Sequence, residues 1–331
     1  MKTRLTAALA LLGLLILAAL SAPCATLARQ NPTPIAIDPY ADYTIDFLST
    51  RSYGGGAITL HEVMESTTAF NRFLFSYPSD GLTIYGFVNV PQGSGPFPVI
   101  IALHGYIDPA VYYTLDYTTR YADALARAGY LVLHPNLRGY RPSDDGPNLL
   151  RVGMAIDVLN LIAIVRDTGG QPGPLALADP ARIGLWGHSM GGGISLRTLT
   201  VSQDVQAAVL YGSMSGDERR NFEAINKWSG RQRGLAELSV PDEALLNISP
   251  IHFLGRIEAA VSIHHGAADE LVPPAWSSEL CERLLALGKT VECRSYPGQP
   301  HTFAGEGDRQ LIQNTIAFFD THLKRSAGAL P

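Results

Sequence analysis

The stretch Arg182-Ile-Gly-Leu-Trp-Gly-His-Ser-Met-Gly-Gly-Gly193 decides the fold. Ile183, Leu185 and Trp186 make a short apolar run with the length of a buried parallel strand. Gly187-His188-Ser189-Met190-Gly191 follows at once, and Gly192 to Thr200 can continue as a helix. A serine between strand and helix, with Gly two residues away on each side, has a mechanical meaning. The chain turns so sharply that side chains at 187 and 191 would collide, and the strained turn holds the Ser189 hydroxyl out above the sheet. A helix starting there aims backbone N–H groups and its positive dipole end at whatever binds beside Ser189. This is a nucleophile elbow, with Gly187, His188 and Gly191 as its frame.

The surrounding chain supplies the sheet that such an elbow needs. Upstream, Ile58-Leu60-Glu62, Phe73-Phe75-Tyr77 and Leu82 to Val90 alternate apolar residues as antiparallel strands do, with Ser79-Asp80-Gly81 turning between the last two. From Val99 the rhythm becomes strand, loop, helix. Val99 to Leu103, Tyr130 to Leu133, Ile183 to Trp186, Ala207 to Leu210, Ala260 to Ile263 and Val291 to Tyr296 are the strands. Helices are predicted near Asp116–Ala128, Val152–Arg166, Trp276–Leu287 and Asp308–Leu323. The expectation is an α/β fold with a mostly parallel central sheet, helices on both faces and antiparallel N-terminal strands. Residues 214–249 break the rhythm with a polar, charged stretch between two strands, expected to be a small helical lid or else a solvated excursion. Asn31 to Gly56 has no clear period and is taken as a linker or surface wrap.

A serine hydroxyl needs a base, and the base needs an orienting carboxylate. His301 lies in the Pro/Gly loop Tyr296-Pro-Gly-Gln-Pro-His-Thr-Phe303, just past the last strand. Asp269 lies in the loop leaving the preceding strand, His264-His-Gly-Ala-Ala-Asp-Glu-Leu-Val-Pro273. The plainer readings are a surface histidine at 301 and a helix-capping aspartate at 269, with Glu270 as an alternative acid. His264 and His265 are expected to be strand-end residues, and His188 to point away as part of the turn. An oxyanion formed next to Ser189 would take the N–H of Met190 and one from His104-Gly105-Tyr106, assigned to Tyr106. The base must be neutral to act, so activity is expected to fall as its imidazole protonates. No metal or cofactor is required.

With a net charge of only -5 and no basic stripe, nothing points to nucleic acid. Met1 to Ala28 has a Lys2/Arg4 start, an uncharged run from Leu5 to Leu20 and small residues after it. It is expected to be a secretory signal peptide, with an uncleaved anchor or lipidation at Cys24 as alternatives, so the mature protein would be secreted or periplasmic and not inserted in a membrane. Its removal leaves Cys281 and Cys293, which could pair as a disulfide or simply be small buried residues. The organisation expected is a signal over 1–28, linker and strands over 29–78, and a catalytic domain over 79–325. The oligomeric state is not readable.

Several of these stretches, in this order, resemble one family. Ser79-Asp-Gly81, His104-Gly105, Asn136-Leu-Arg-Gly-Tyr140, Asp179 to Gly192, Ser249-Pro250, His265-Gly-Ala-Ala-Asp269 with Val272-Pro273, and Tyr296-Pro-Gly with His301 are similar to the catalytic domain of the prolyl oligopeptidase family of serine peptidases. The resemblance implies the α/β-hydrolase fold, with Ser189 as nucleophile, His301 as base and Asp269 as its orienter. Two departures stand out: only about sixty residues precede the core, where the family carries a β-propeller, and no glutamate pair is identifiable to grip a peptide amino terminus. The expected activity is cleavage of a peptide or amide bond in a small-molecule or peptide substrate. A carboxylic ester hydrolase on the same fold is the alternative, and a noncatalytic binding protein a third reading.

Overall fold

Alternation along the strands sorts the core into two halves, one on each face of a single sheet. Val99, Ile101, Leu103, Leu131, Leu133, Ile183 and Leu185 belong to one buried cluster, and Ile100, Ala102, Tyr130, Val132 and Trp186 to the other. Strands apolar on both faces are what a parallel sheet covered on both sides requires. The computed structural model describes residues 38–324, and all of its elements lie from Tyr40 onward. The proposed signal segment falls outside the described residues.

In chain order the elements are α1 (Ile45–Thr50), β1 (Thr59–Ser66), β2 (Phe70–Ser79), β3 (Leu82–Pro91), β4 (Phe97–Leu103), α2 (Thr119–Arg127) and β5 (Leu131–Pro135). Then come α3 (Val152–Thr168), β6 (Ala178–His188), α4 (Met190–Val201), β7 (Ala207–Tyr211), α5 (Glu218–Trp228), α6 (Leu235–Leu238) and α7 (Asp242–Ile248). The chain continues through β8 (Ala260–Gly266), α8 (Pro274–Ala286), β9 (Val291–Tyr296) and α9 (Gly305–Phe319). The strand order is β1-β2-β3-β5-β4-β6-β7-β8-β9. β1, β2 and β3 pair antiparallel, β3 joins β5 antiparallel, and β5 through β9 are parallel. Helices α3, α4 and α8 supply the first cluster, and α2 and α9 the second. The carboxyl ends of β4, β6, β8 and β9 therefore open on the same rim, where ligands of parallel sheets bind.

The structure corrects the sequence reading in a few places. The supposed linker contains α1, whose Thr44 hydroxyl accepts the Phe47 N–H at 3.2 Å and whose Ile45 and Leu48 are fully buried. Six residues are too few to show a helical period, and burial holds the helix: two such side chains contribute on the order of 1.5–3 kcal/mol each. Helix α4 starts at Met190, directly after Ser189, and not at Gly192. The last helix runs Gly305–Phe319 and ends in a wider turn over Asp320–Lys324. Of the two readings of the cysteines, the disulfide is the one formed: Cys281 on α8 is bonded to Cys293 on β9. Residues 214–249 hold three helices, α5 to α7, so the excursion is built and not loose.

Candidate active site

The elbow is as tight as its glycines imply. Ser189 sits at φ 55°, ψ −114°, a left-handed conformation that costs a residue with a Cβ roughly 1–3 kcal/mol. A Cβ added at Gly187 would collide with the Gly191 carbonyl oxygen. The strain is held by the surroundings: the Ser189 N–H donates to the Tyr211 carbonyl at 2.9 Å, and its own carbonyl accepts from Met214 N–H at 3.1 Å. Because Met190 is the first helical residue, its N–H has no acceptor within α4 and is left for a ligand beside Ser189.

Past β8 and β9, the structure brings His301 and Asp269 together. His301 Nδ1 donates to Asp269 Oδ2 at 2.7 Å, which leaves Nε2 as the basic nitrogen of the neutral ring. Asp269 does not cap α8. Its Oδ1 accepts the N–H groups of Leu271 and Val272, both at 2.9 Å, within its own loop. Burial alone would raise its pKa, but hydrogen bonds from His265, His301 and the Val272 N–H outweigh that and hold the carboxyl well below the usual range. Glu270, the alternative acid, is exposed.

Sequence reasoning missed two other histidines. His265 does end a strand, but its Nε2 also lies 3.0 Å from Asp269 Oδ2 and 3.1 Å from the Val272 carbonyl. Facing two acceptors, that nitrogen carries the proton, while Nδ1 meets Ser277 Oγ at 2.6 Å. His188 does not point away from the site: its ring lies 4.7 Å from the His301 ring, and its Nε2 donates to the His301 carbonyl at 3.1 Å. Its Nδ1 accepts from Tyr117 Oη at 2.7 Å, and that oxygen accepts the Gly105 N–H at 2.9 Å. Burial brings the His188 pKa down to about 3, so the ring is neutral as this pattern needs. The loop after β4 is thus tied to the elbow and to the His301 loop. A Cβ on Gly105 would run into Tyr117 Oη and come within 3.2 Å of Ser189 Cβ, so this loop passes right over the serine. Tyr106, assigned from the sequence as the second oxyanion donor, lines the same cavity as Ser189.

Ser189, His301, Met190 and Tyr106 line one cavity of about 280 Å³. Its walls are mainly apolar: Met214 from the β7 loop, Ala224, Ile225 and Trp228 from α5, and Leu271, Val272 and Trp276 from the Asp269 side. Helix α5 is clamped at its first turn, where the buried Glu218 receives Arg197 Nη2 of α4 on one oxygen and Arg151 Nη2, beside α3, on the other at 2.8 Å. Its far end lays Trp228 edge-on against Tyr106, with ring centroids 5.9 Å apart. No group of metal-ligating side chains occurs among the described residues, and no described helix is long and apolar enough to cross a membrane.

A family described as the alpha/beta hydrolase fold matches residues 98–280, a little over half of the chain. The chain belongs to that family. Among its relatives this alpha/beta hydrolase is 26% identical, over 79% of its length, to an uncharacterized peptidase, YuxL, of Bacillus subtilis, and it spans 40% of that protein. In structure it is similar to the acylaminoacyl peptidase of Pyrococcus horikoshii (TM-score 0.64, 22% identity), covering 80% of this chain and 43% of that one. It is also similar to acetyl xylan esterase 1 of Thermoanaerobacterium (TM-score 0.61, 19% identity), covering 87% and 95%. The structural likenesses concern the fold. The alpha/beta hydrolase spans less than half of the Bacillus and Pyrococcus proteins.

Proposed function

We propose that this alpha/beta hydrolase is an exported serine hydrolase that cleaves an ester or a peptide bond through an acyl-enzyme. The observation that carries the reading is the 2.7 Å bond from His301 Nδ1 to a buried, ionised Asp269, on a histidine that shares a cavity with a strained elbow serine. Ser189 Oγ attacks the substrate carbonyl while His301 Nε2 takes its proton, and the Asp269 carboxylate stabilises the imidazolium formed. Negative charge on the carbonyl oxygen is met by Met190 N–H at the start of α4 and by Tyr106 N–H; one such donor is worth about 2.7–4 kcal/mol. His301 then protonates the leaving alcohol or amine, and water repeats the sequence to free the acid. The Lys2/Arg4-led apolar start supports export.

Both kinds of bond have support among the relatives, one peptidase and one esterase. The cavity favours the ester. Among the described residues no Asp or Glu lines it, so the free ammonium of a peptide amino terminus would find no carboxylate among them. The test is covalent labelling by a fluorophosphonate, with p-nitrophenyl ester and peptidyl amide turnover measured beside it. Wild type should be labelled, and Ser189→Ala should lose both label and several orders of magnitude in kcat while remaining folded. Unchanged turnover in Ser189→Ala would overturn the proposal.

A further inference from the structure

The mouth of the cavity has a chemistry of its own. Trp228, Leu271 and Tyr106 are 58%, 56% and 38% exposed, an uneconomical placement for large apolar side chains unless something covers them. Among the described residues two guanidinium groups also line the cavity and no carboxylate does. Arg151 is committed to Glu218 and lies over Phe222. Arg233 differs. It sits beyond the end of α5, stacked 4.8 Å over the Tyr106 ring, and its ion-pair partner, Asp108, lies 3.9 Å away with both side chains about half exposed. A pair that long and that wet contributes little, so the fork of Arg233 can exchange it for a better-placed carboxylate.

Resting on the serine hydrolase reading above, we propose that the natural substrate class is the hemiester: an ester of an apolar dicarboxylic acid whose second carboxylate stays free. The ester carbonyl lies at Ser189. The apolar body runs between Met214, Ile225 and Trp276. The free carboxylate reaches the mouth, where Arg233 meets it on the Tyr106 ring. The same lining disfavours an ammonium at that end, because Arg233 stands there and no carboxylate is among the described lining residues. Hydrolysis consumes one water and gives the diacid and an alcohol, with no other reactant.

The test uses three p-nitrophenyl esters of matched length: hexanoate, adipate hemiester and aminohexanoate. The expected order of kcat/KM is adipate, then hexanoate, then aminohexanoate, with about a twofold to fivefold step for an exposed guanidinium–carboxylate pair. The adipate preference should shrink as salt is raised and should fall to about one in Arg233→Gln. Equal rates for adipate and hexanoate in wild type, or an adipate preference that survives in Arg233→Gln, would overturn the inference while fluorophosphonate labelling of Ser189 still stands. Loss of labelling and of all ester turnover would overturn the serine hydrolase reading, and this inference with it.

Discussion

His265 and His301 donate to one and the same atom, Asp269 Oδ2, at 3.0 and 2.7 Å. The carboxylate is therefore fixed by an imidazole on each side and cannot rotate to follow only one. His265 in turn is held by Ser277 on α8. His265→Leu should leave Asp269 free to shift and His301 poorly aimed. Since misplacement of about 1 Å can cost on the order of a hundredfold, kcat should fall ten- to a hundredfold with KM little changed. Steady-state kinetics on a p-nitrophenyl ester would show it; a kcat within twofold of wild type would mean that His265 only fills space.

Tyr117 Oη joins the turn over the serine to the elbow, taking Gly105 N–H and serving His188 Nδ1. Tyr117→Phe removes that oxygen and nothing else. The Gly105 N–H and His188 Nδ1 both lose a buried partner, and the Tyr106 donor loses its anchor. We expect kcat/KM to drop by about tenfold, the scale of one buried hydrogen bond, with the chain still folded by circular dichroism.

Glu218 carries the only negative charge between Arg151 and Arg197 in the described ion-pair network that clamps α5. Glu218→Gln would leave two guanidinium groups sharing a neutral amide in a buried place. Breaking such a network typically costs about 3–5 kcal/mol, readable as a lower urea midpoint. Because α5 forms one wall of the cavity, KM should rise in the same variant. A variant as stable as wild type would contradict this account of the clamp.

Acid should weaken the fold before it protonates the carboxylates. Burial brings His134, His188 and His264 each down to about 3. An unfolded chain binds protons at these imidazoles below about 6.5, whereas the folded one refuses them, so stability falls as pH drops through that window towards about 3. Each such group is worth on the order of 2 kcal/mol by about pH 5. Urea unfolding at about pH 7 and pH 5 should show a clear loss at the lower value, and equal midpoints would refute it.

Reduction of Cys281–Cys293 opens a short loop, twelve residues in separation. Chain-entropy arguments give about 3 kcal/mol for a loop of this size. The urea midpoint of the Cys281→Ser, Cys293→Ser double variant should fall accordingly.

The elbow was legible because its demands are local. Glycines at 187 and 191 answer a clash between positions four apart, and no distant residue enters the argument. The parallel sheet was legible for a similar reason, since strands buried on both faces show continuous apolar runs. Chain order suggested that Asp269 and His301 would meet. It said nothing of His265 or of the link from Gly105 through Tyr117 and His188 to His301, because those bonds join loops that only the sheet brings near. Helix α1 was hidden because six residues carry too little periodicity, and what holds it is burial against α7 and the start of α3. The excursion over 214–249 looked polar because Arg219 and Arg220 face outward partners, while Phe222, Leu245 and Ile248 share a small buried cluster with Leu48, Leu150 and Val152.

The cystine has a topological consequence. Helix α8 begins just after the Asp269 loop, and β9 leads directly into the His301 loop. A cross-link between those two elements is a shortcut along the polymer, bypassing part of the chain that separates Asp269 from His301. Even in the denatured ensemble, the contour joining the two side chains is abbreviated. An oxidised chain thus searches a smaller volume to reunite them than a reduced one does, and recovery of turnover after denaturation should be slower in the presence of thiols.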